Sequence, residues 1–146
     1  MSKKNWLDVL GWNKDEVNDL RFVAYSYIKE GVYDVALTFF DALAVLVPPT
    51  SYDLQTMGAL HLQIGNGLKA LDFLDRALKL DPAHIPTQIN RVKALFMLGY
   101  KRQGLLAATE LSKNENKEVK EQAAALILAF ATPNIINPQR KNEINS

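Results

Sequence analysis

The chain has 146 residues, no cysteine and a formal net charge of +1, with 48% hydrophobic and 23% charged residues. This composition is typical of one globular domain, and it excludes a disordered chain, a disulfide framework and a thiolate metal site. The near-neutral charge gives no bulk attraction to nucleic acid or to an anionic membrane. No stretch reaches the roughly 20 apolar residues of a membrane-spanning helix, and MSKKNWLDVLGW is too short an apolar run for a signal peptide. We therefore expect a cytoplasmic protein with no nucleic-acid partner and no membrane insertion.

Residues 1–16 form the first segment, and its apolar side chains have two interpretations. The segment carries NWLDVLGW, which is more apolar surface than a free tail would expose. It is either a helix that caps the open end of a helical stack, or a surface for self-association, because exposed aromatic residues are typical of interfaces. A homodimer would satisfy both interpretations. The candidate residues are Trp6, Leu7, Leu10 and Trp12.

Residues 17–118 contain a pattern that recurs every 34 residues without insertion or deletion. A glycine stands between two apolar runs of helical spacing in each copy, which predicts two helices joined by a tight turn. The glycines are Gly31, Gly65 and Gly99, and the copies are 17–50, 51–84 and 85–118. The predicted helices run from about 14 to 29, 33 to 45, 51 to 64, 67 to 80, 85 to 98 and 101 to 112.

Two segments follow the repeats. An apolar stripe in residues 119–131 predicts a terminal helix that caps the last copy. Residues 132–146, TPNIINPQRKNEINS, contain two prolines and four asparagines, so we expect a polar tail there.

A helix-turn-helix unit of 34 residues is the signature of the tetratricopeptide repeat, and the chain resembles that family. The middle copy matches best, at Gly58, Gly65, Ala70, Ala77 and Pro82. The third copy departs from the family pattern at Val92, Gly104 and Asn116. The resemblance implies an all-α fold: three tetratricopeptide repeats forming a helix-turn-helix solenoid, with an N-terminal helix and a C-terminal capping helix.

The resemblance also implies a concave groove lined by the first helix of each repeat. Aromatic, aliphatic and amide groups at the expected groove positions suit an extended peptide. These positions are Asn18, Arg21, Tyr25, Ile28, Tyr52, Gln55, Ala59, Leu62, Ile89, Lys93 and Phe96. One use of the repeat captures the terminal carboxylate of heat-shock chaperones with a clamp of lysine, asparagine and arginine. That clamp is incomplete here, because the matching positions hold Arg21, Tyr25 and Thr56.

Catalytic chemistry finds little support in the sequence. The two histidines, His61 and His84, are 23 residues apart and form no metal-ligand pair, and no phosphate-binding glycine motif is present. We therefore expect no enzyme activity, no cofactor and no metal site.

The first copy has a tyrosine-rich first helix, a Gly-x-Tyr turn and a Phe-x-x-Leu second helix, at Tyr25, Tyr27, Gly31, Tyr33, Phe40 and Leu43. In these residues the chain resembles the cytoplasmic chaperones of bacterial type III secretion, above all the class that escorts translocator proteins. This likeness implies a chaperone that holds an apolar export substrate, a translocator or needle subunit, soluble and unassembled, in some cases with a small co-chaperone. The alternative is a general repeat scaffold or adaptor that binds a peptide or a folded partner, and an enzyme or nucleic-acid binder is a third hypothesis.

Overall fold

The computed structural model describes residues 5–131, and this part of the chain is entirely helical, without a β-strand. The all-α prediction is therefore confirmed for the described residues, whereas the predicted polar tail at 132–146 lies outside them. The helices are α1 (Trp6–Leu10), α2 (Lys14–Lys29), α3 (Tyr33–Leu46), α4 (Ser51–Gln63), α5 (Gly67–Leu80), α6 (Ile85–Met97), α7 (Lys101–Ser112) and α8 (Lys117–Ala131).

The three predicted glycine turns have one common backbone geometry. Gly31, Gly65 and Gly99 have φ angles of 77°, 81° and 79°, in the left-handed region that favours glycine. In the middle turn the amide of Asn66 donates a hydrogen bond of 2.8 Å to the carbonyl oxygen of His61, and the other two turns make the same bond. This closure ends the first helix and reverses the chain. The 34-residue spacing in the sequence thus appears as a repeated backbone turn.

The first helices of the repeats lie in one row, and α8 extends that row. Each helix from α2 onward packs on the next one along the chain, while α4 also contacts α6, and α6 also contacts α8. The last helix begins at Lys117 because the Asn116 side chain accepts hydrogen bonds from the amides of Glu118 and Val119, at 2.9 and 3.4 Å. α8 therefore occupies the place that the first helix of a fourth repeat would take.

Buried side chains form two main core clusters with a small one between them. The first cluster joins α2, α3 and α4 around Phe40 and Leu43. The second joins α6, α7 and α8 around Val92 and Ala108. A few side chains of α5 and α6, centred on Leu74, lie between the two. The core is thus divided along the stack.

The N-terminal helix covers the first repeat only in part. Leu7 packs against the first core cluster, and α1 contacts α3. Trp6 and Leu10 remain exposed, and Trp12 is half-buried. Both interpretations of this segment, as a cap and as a self-association surface, stay predictions.

A large ring explains one departure of the third repeat from the family pattern, the glycine at position 104. The Phe96 side chain is buried, and its ring stacks on the Phe130 ring with centroids 4.9 Å apart. A Cβ atom added to Gly104 would lie 2.8 Å from Cε1 of Phe96. The glycine therefore makes room for the phenylalanine.

We expect Gly104→Ala to lower the free energy of unfolding by about 1 kcal/mol. Overpacking a core costs about 1–3 kcal/mol, and the higher helix propensity of alanine returns up to about 1 kcal/mol. Urea denaturation measures the difference. The same change in a Phe96→Leu background serves as the control, because the shorter side chain removes the clash. Equal losses in the two backgrounds would show that the ring is not the cause.

Candidate functional site

A groove of about 950 Å³ runs along the concave side of the helix row. Most of its lining comes from α2, α4, α6 and α8, with Tyr33 at the start of α3, so it crosses all three repeats and the terminal helix. Seven of the residues expected from the sequence line it: Tyr25, Ile28, Tyr52, Gln55, Ala59, Leu62 and Lys93. The groove is open along its length, which suits an extended occupant.

The other four expected residues do not line the groove. Asn18 is exposed on α2, and Arg21 is paired with a carboxylate. Ile89 and Phe96 belong to the second core cluster, with exposed fractions of only 8% and 7%. In the third repeat, the groove surface is formed by their neighbours on α6 instead.

Groove residues that sequence reasoning missed fall into two groups. The first lies on the repeat helices or directly before them: Tyr33, Thr56, Leu60, Gln63, His84, Pro86, Thr87, Asn90 and Met97. Several of these are 34 residues apart, as Thr56 and Asn90 are, so the register could have found them once one was known. The second group, Leu126 and Phe130, comes from α8. The repeat pattern gives no signal for these two, because they depend on how the terminal helix docks.

Aromatic side chains form the wall at the first repeat. The Tyr25 ring lies between Phe40, at a centroid distance of 5.6 Å, and Tyr52, at 5.8 Å. Its hydroxyl is 3.4 Å from Oγ1 of Thr56. Burial raises the pKa of the Tyr25 phenol above its ordinary value, so the Tyr25 side chain stays uncharged well above neutral pH. Tyr52 remains exposed and presents its ring to the groove.

Neutral polar groups alternate with the apolar ones along the groove. Gln55, Gln63 and Asn90 supply carboxamides, which both donate and accept hydrogen bonds. Exposed Lys93 adds one ammonium group to the lining. Such side chains can pair with the backbone of an extended peptide, while the rings and aliphatic groups take its apolar side chains.

His84 has a structural task at the groove edge. Its Nδ1 lies 2.7 Å from Oγ1 of Thr87 and 3.4 Å from the Thr87 amide, so the imidazole caps the start of α6. Pro86 follows in the first turn, where a missing amide costs little. The cap fixes the position of α6 at the groove wall.

Arg21 and Asp53 form a two-bond ion pair between α2 and α4. Nε of Arg21 donates to Oδ1 of Asp53 at 2.9 Å, and Nη2 donates to Oδ2 at 2.8 Å. Burial by itself raises the pKa of Asp53. Hydrogen bonds from Arg21 and from the backbone and side chain of Thr50 lower it, as does the positive charge of Arg21. Together they hold the pKa of Asp53 below its ordinary value. The Arg21 guanidinium is therefore committed to a neighbouring helix.

Within residues 5–131, no group of three or more His, Asp or Glu side chains is placed to hold a metal ion. In the same range, no helix has the length and apolar character needed to cross a membrane. His61 is buried away from the groove, stacked on Phe73 with ring centroids 5.4 Å apart.

His61 should make the fold sensitive to mild acid. Its Nδ1 is buried without a hydrogen-bond partner among the described residues. Burial lowers the pKa of His61 below 6.5, and the charge of Lys69 lowers it further against the opposing charge of Asp41. The folded chain then binds fewer protons than the unfolded chain as the pH falls through 6.5. The contribution of His61 to stability is therefore complete above that pH and decreases below it.

Urea denaturation at neutral and mildly acidic pH measures this effect. The wild-type chain should lose stability on acidification, and a His61→Leu variant, which keeps an apolar contact with Phe73, should lose less. Identical pH profiles for the two proteins would exclude His61 as the cause.

Comparisons with known proteins bear on the fold. No family model matches the chain, and no curated protein matches it. Among solved structures, it is similar to the second tetratricopeptide-repeat domain of the human RPAP3 protein, determined by NMR in complex with the HSP70 peptide SGPTIEEVD. The TM-score is 0.63 at 16% sequence identity, and the match covers 73% of this chain and 91% of that one. The predicted fold class is thus confirmed: the chain is an all-α helical solenoid with the tetratricopeptide-repeat fold.

Proposed function

We propose that the chain is a non-catalytic binding protein that holds an extended, largely apolar segment of a partner protein in the groove. The observation that carries this proposal is the exposure of apolar side chains inside a concave surface. Tyr52 is 59% exposed and Met97 is 46% exposed, and both line the groove. Burying such side chains against a partner is favourable, at roughly 25 cal/mol per Å² of apolar surface.

The RPAP3 domain, which is similar in fold, carries a bound peptide, and this supports a peptide ligand here. The groove of this chain is less suited to an acidic peptide than to an apolar one. Arg21 is already paired with Asp53, and Thr56 stands near the Tyr25 hydroxyl, so a carboxylate would find few charged donors. An apolar segment with a free backbone suits the available groups better.

At a finer level, we propose a cytoplasmic chaperone of type III secretion, as the resemblance of the first two repeats to that class suggests. The partner would be a translocator or needle subunit, whose apolar segments associate with one another when uncovered. Covering such a segment in the groove keeps the subunit soluble and unassembled without any chemical step. A small co-chaperone and a homodimer formed through α1 belong to the same proposal.

Co-expression tests the chaperone proposal. A translocator or needle subunit from the source organism should stay in the soluble fraction when it is produced with this chain, and should precipitate when it is produced alone. Co-purification of the two proteins in a fixed ratio would support the proposal, and the subunit that responds would identify the class. A subunit that precipitates in both cases would contradict it.

The second candidate is a general scaffold or adaptor that binds a peptide or a folded partner. Exposed Lys93 in the groove lining favours it, because an ammonium group there could pair with an acidic side chain of a ligand. In that case, binding should weaken markedly when Lys93 is replaced by Met or when salt is added, whereas binding of an apolar export segment should change little.

A further inference from the structure

The described chain ends at the wall of the groove. Phe130 lines the groove, and its ring stacks on Phe96, the residue next to Met97 on α6. Ala131 is the last residue of α8. The described part of the chain therefore ends beside the apolar surface that the proposed function uses.

The sequence that follows has the chemistry of a groove ligand. Residues 132–138 read TPNIINP, with two adjacent isoleucines between asparagines and a proline near each end. Proline disfavours a helix both at its own position and at the residue before it, which leaves the backbone amides and carbonyls free for other partners. Ile135 and Ile136 supply apolar side chains of the kind that an apolar groove accepts.

The length of this segment fits the distance to be covered. A chain spans at most about 3.5 Å per residue, so Ile136 lies within about 18 Å of Ala131. Neighbouring packed helices are about 8–10 Å apart, so this reach extends from α8 across α6 to α4. Met97 and Leu62 are groove residues on those two helices.

Charge limits how much of the tail fits. Arg140 and Lys141 follow the apolar segment, and the groove lining contains Lys93 but no carboxylate. The groove therefore has no carboxylate to pair with Arg140 or Lys141, and the chemical match is confined to residues 132–138.

We propose that residues 132–138 of this chain occupy its own groove, with Ile135 and Ile136 against Met97 and Leu62, and that a partner segment must displace them. A tethered segment has an effective concentration on the order of 1 mM. With an intrinsic dissociation constant of about 0.1 mM, it would reduce the apparent affinity for a partner by about tenfold. The inference uses the groove of the proposed function, but it requires no external partner.

Paramagnetic broadening in the full-length chain tests the proposal. Since the sequence has no cysteine, Gln139→Cys provides a single site for a spin label, one residue beyond the docking segment. We expect the backbone amide signals of Leu62, Lys93 and Met97 to broaden. The signals of Asp72 and Glu110, which line a separate cleft formed by α5, α6 and α7, should keep their intensity.

Two controls decide the result. In the labelled chain that also carries Ile135→Asn and Ile136→Asn, the groove signals should broaden much less than in the labelled parent. Equal broadening of the groove signals in this variant and in the parent, or no broadening in the groove of the parent, would overturn the proposal. An isotope-labelled chain without the spin label, mixed with a spin-labelled one, tests transfer between molecules; broadening there would assign the groove to a second copy instead. Because no partner is added, a failure to bind an export subunit would leave this result unaffected.

Discussion

Replacing Tyr52 and Met97 together by alanine is expected to weaken partner binding by about 100-fold. Both side chains are exposed apolar groups that line the groove, one on α4 and one on the neighbouring helix α6. Truncating a central apolar anchor typically costs 1–2 kcal/mol or more, and a sum of about 3 kcal/mol corresponds to roughly two orders of magnitude in the dissociation constant. Fluorescence anisotropy with a labelled segment of the co-purifying subunit measures the change.

A matched control uses exposed apolar residues that do not line the groove. Leu68 on α5 is 66% exposed and Leu106 on α7 is 63% exposed. The double variant Leu68→Ala with Leu106→Ala should bind as tightly as the wild-type chain. An equal loss in both double variants, or full affinity in a folded groove variant, would contradict the groove assignment. Phe96 is unsuitable for this test, because it is buried in the core and its truncation would change stability.

Arg21→Met is expected to lower the free energy of unfolding by about 3 kcal/mol, because it leaves the buried Asp53 carboxylate without its cation. Asp53 is only 3% exposed, and removing one partner of a buried pair typically costs about 3–5 kcal/mol. For a chain of this size, the loss corresponds to a decrease of about 10 °C in the melting temperature. Calorimetry or thermal denaturation followed by circular dichroism measures it.

The ion pair between Arg91 and Asp75 gives the control for this prediction. It also joins two helices, with Nε of Arg91 2.6 Å from Oδ1 of Asp75, but both side chains are partly exposed to solvent. Pairs of this kind contribute about 1 kcal/mol or less. Arg91→Met should therefore cost far less than Arg21→Met. Similar losses in the two variants would mean that burial of Asp53 is not the source of the effect.

The sequence was informative where a feature repeats at a fixed spacing. The turns at Gly31, Gly65 and Gly99 each need a residue in the left-handed conformation between two helices. Because this requirement occurs three times in one chain, the glycine spacing made it visible in the sequence. The predicted helix limits agree with the structure within one or two residues for the same reason. Local signals of capping and apolar spacing were enough to define these elements.

Features that depend on side-chain partners distant in the sequence could not be predicted. Arg21 has the position of a groove cation, but its partner Asp53 is 32 residues away and withdraws it from the groove. Phe96 has the position of a groove aromatic, but the absence of a side chain at Gly104 and the docking of Phe130 draw its ring into the core. The repeat pattern describes which face a residue occupies and does not describe what covers it.

The division of the core into two clusters affects how a ligand leaves the groove. In a stack, stability is a sum of local terms, so the unit of α6, α7 and α8 can open while α2, α3 and α4 stay folded. Such opening would move Met97 and Phe130 away from Tyr25, which packs against the first cluster, and from Tyr52 on α4. A bound segment would then be released first at the end formed by α6 and α8. The dissociation rate would depend on the local stability of the last repeat more than on the stability of the whole chain.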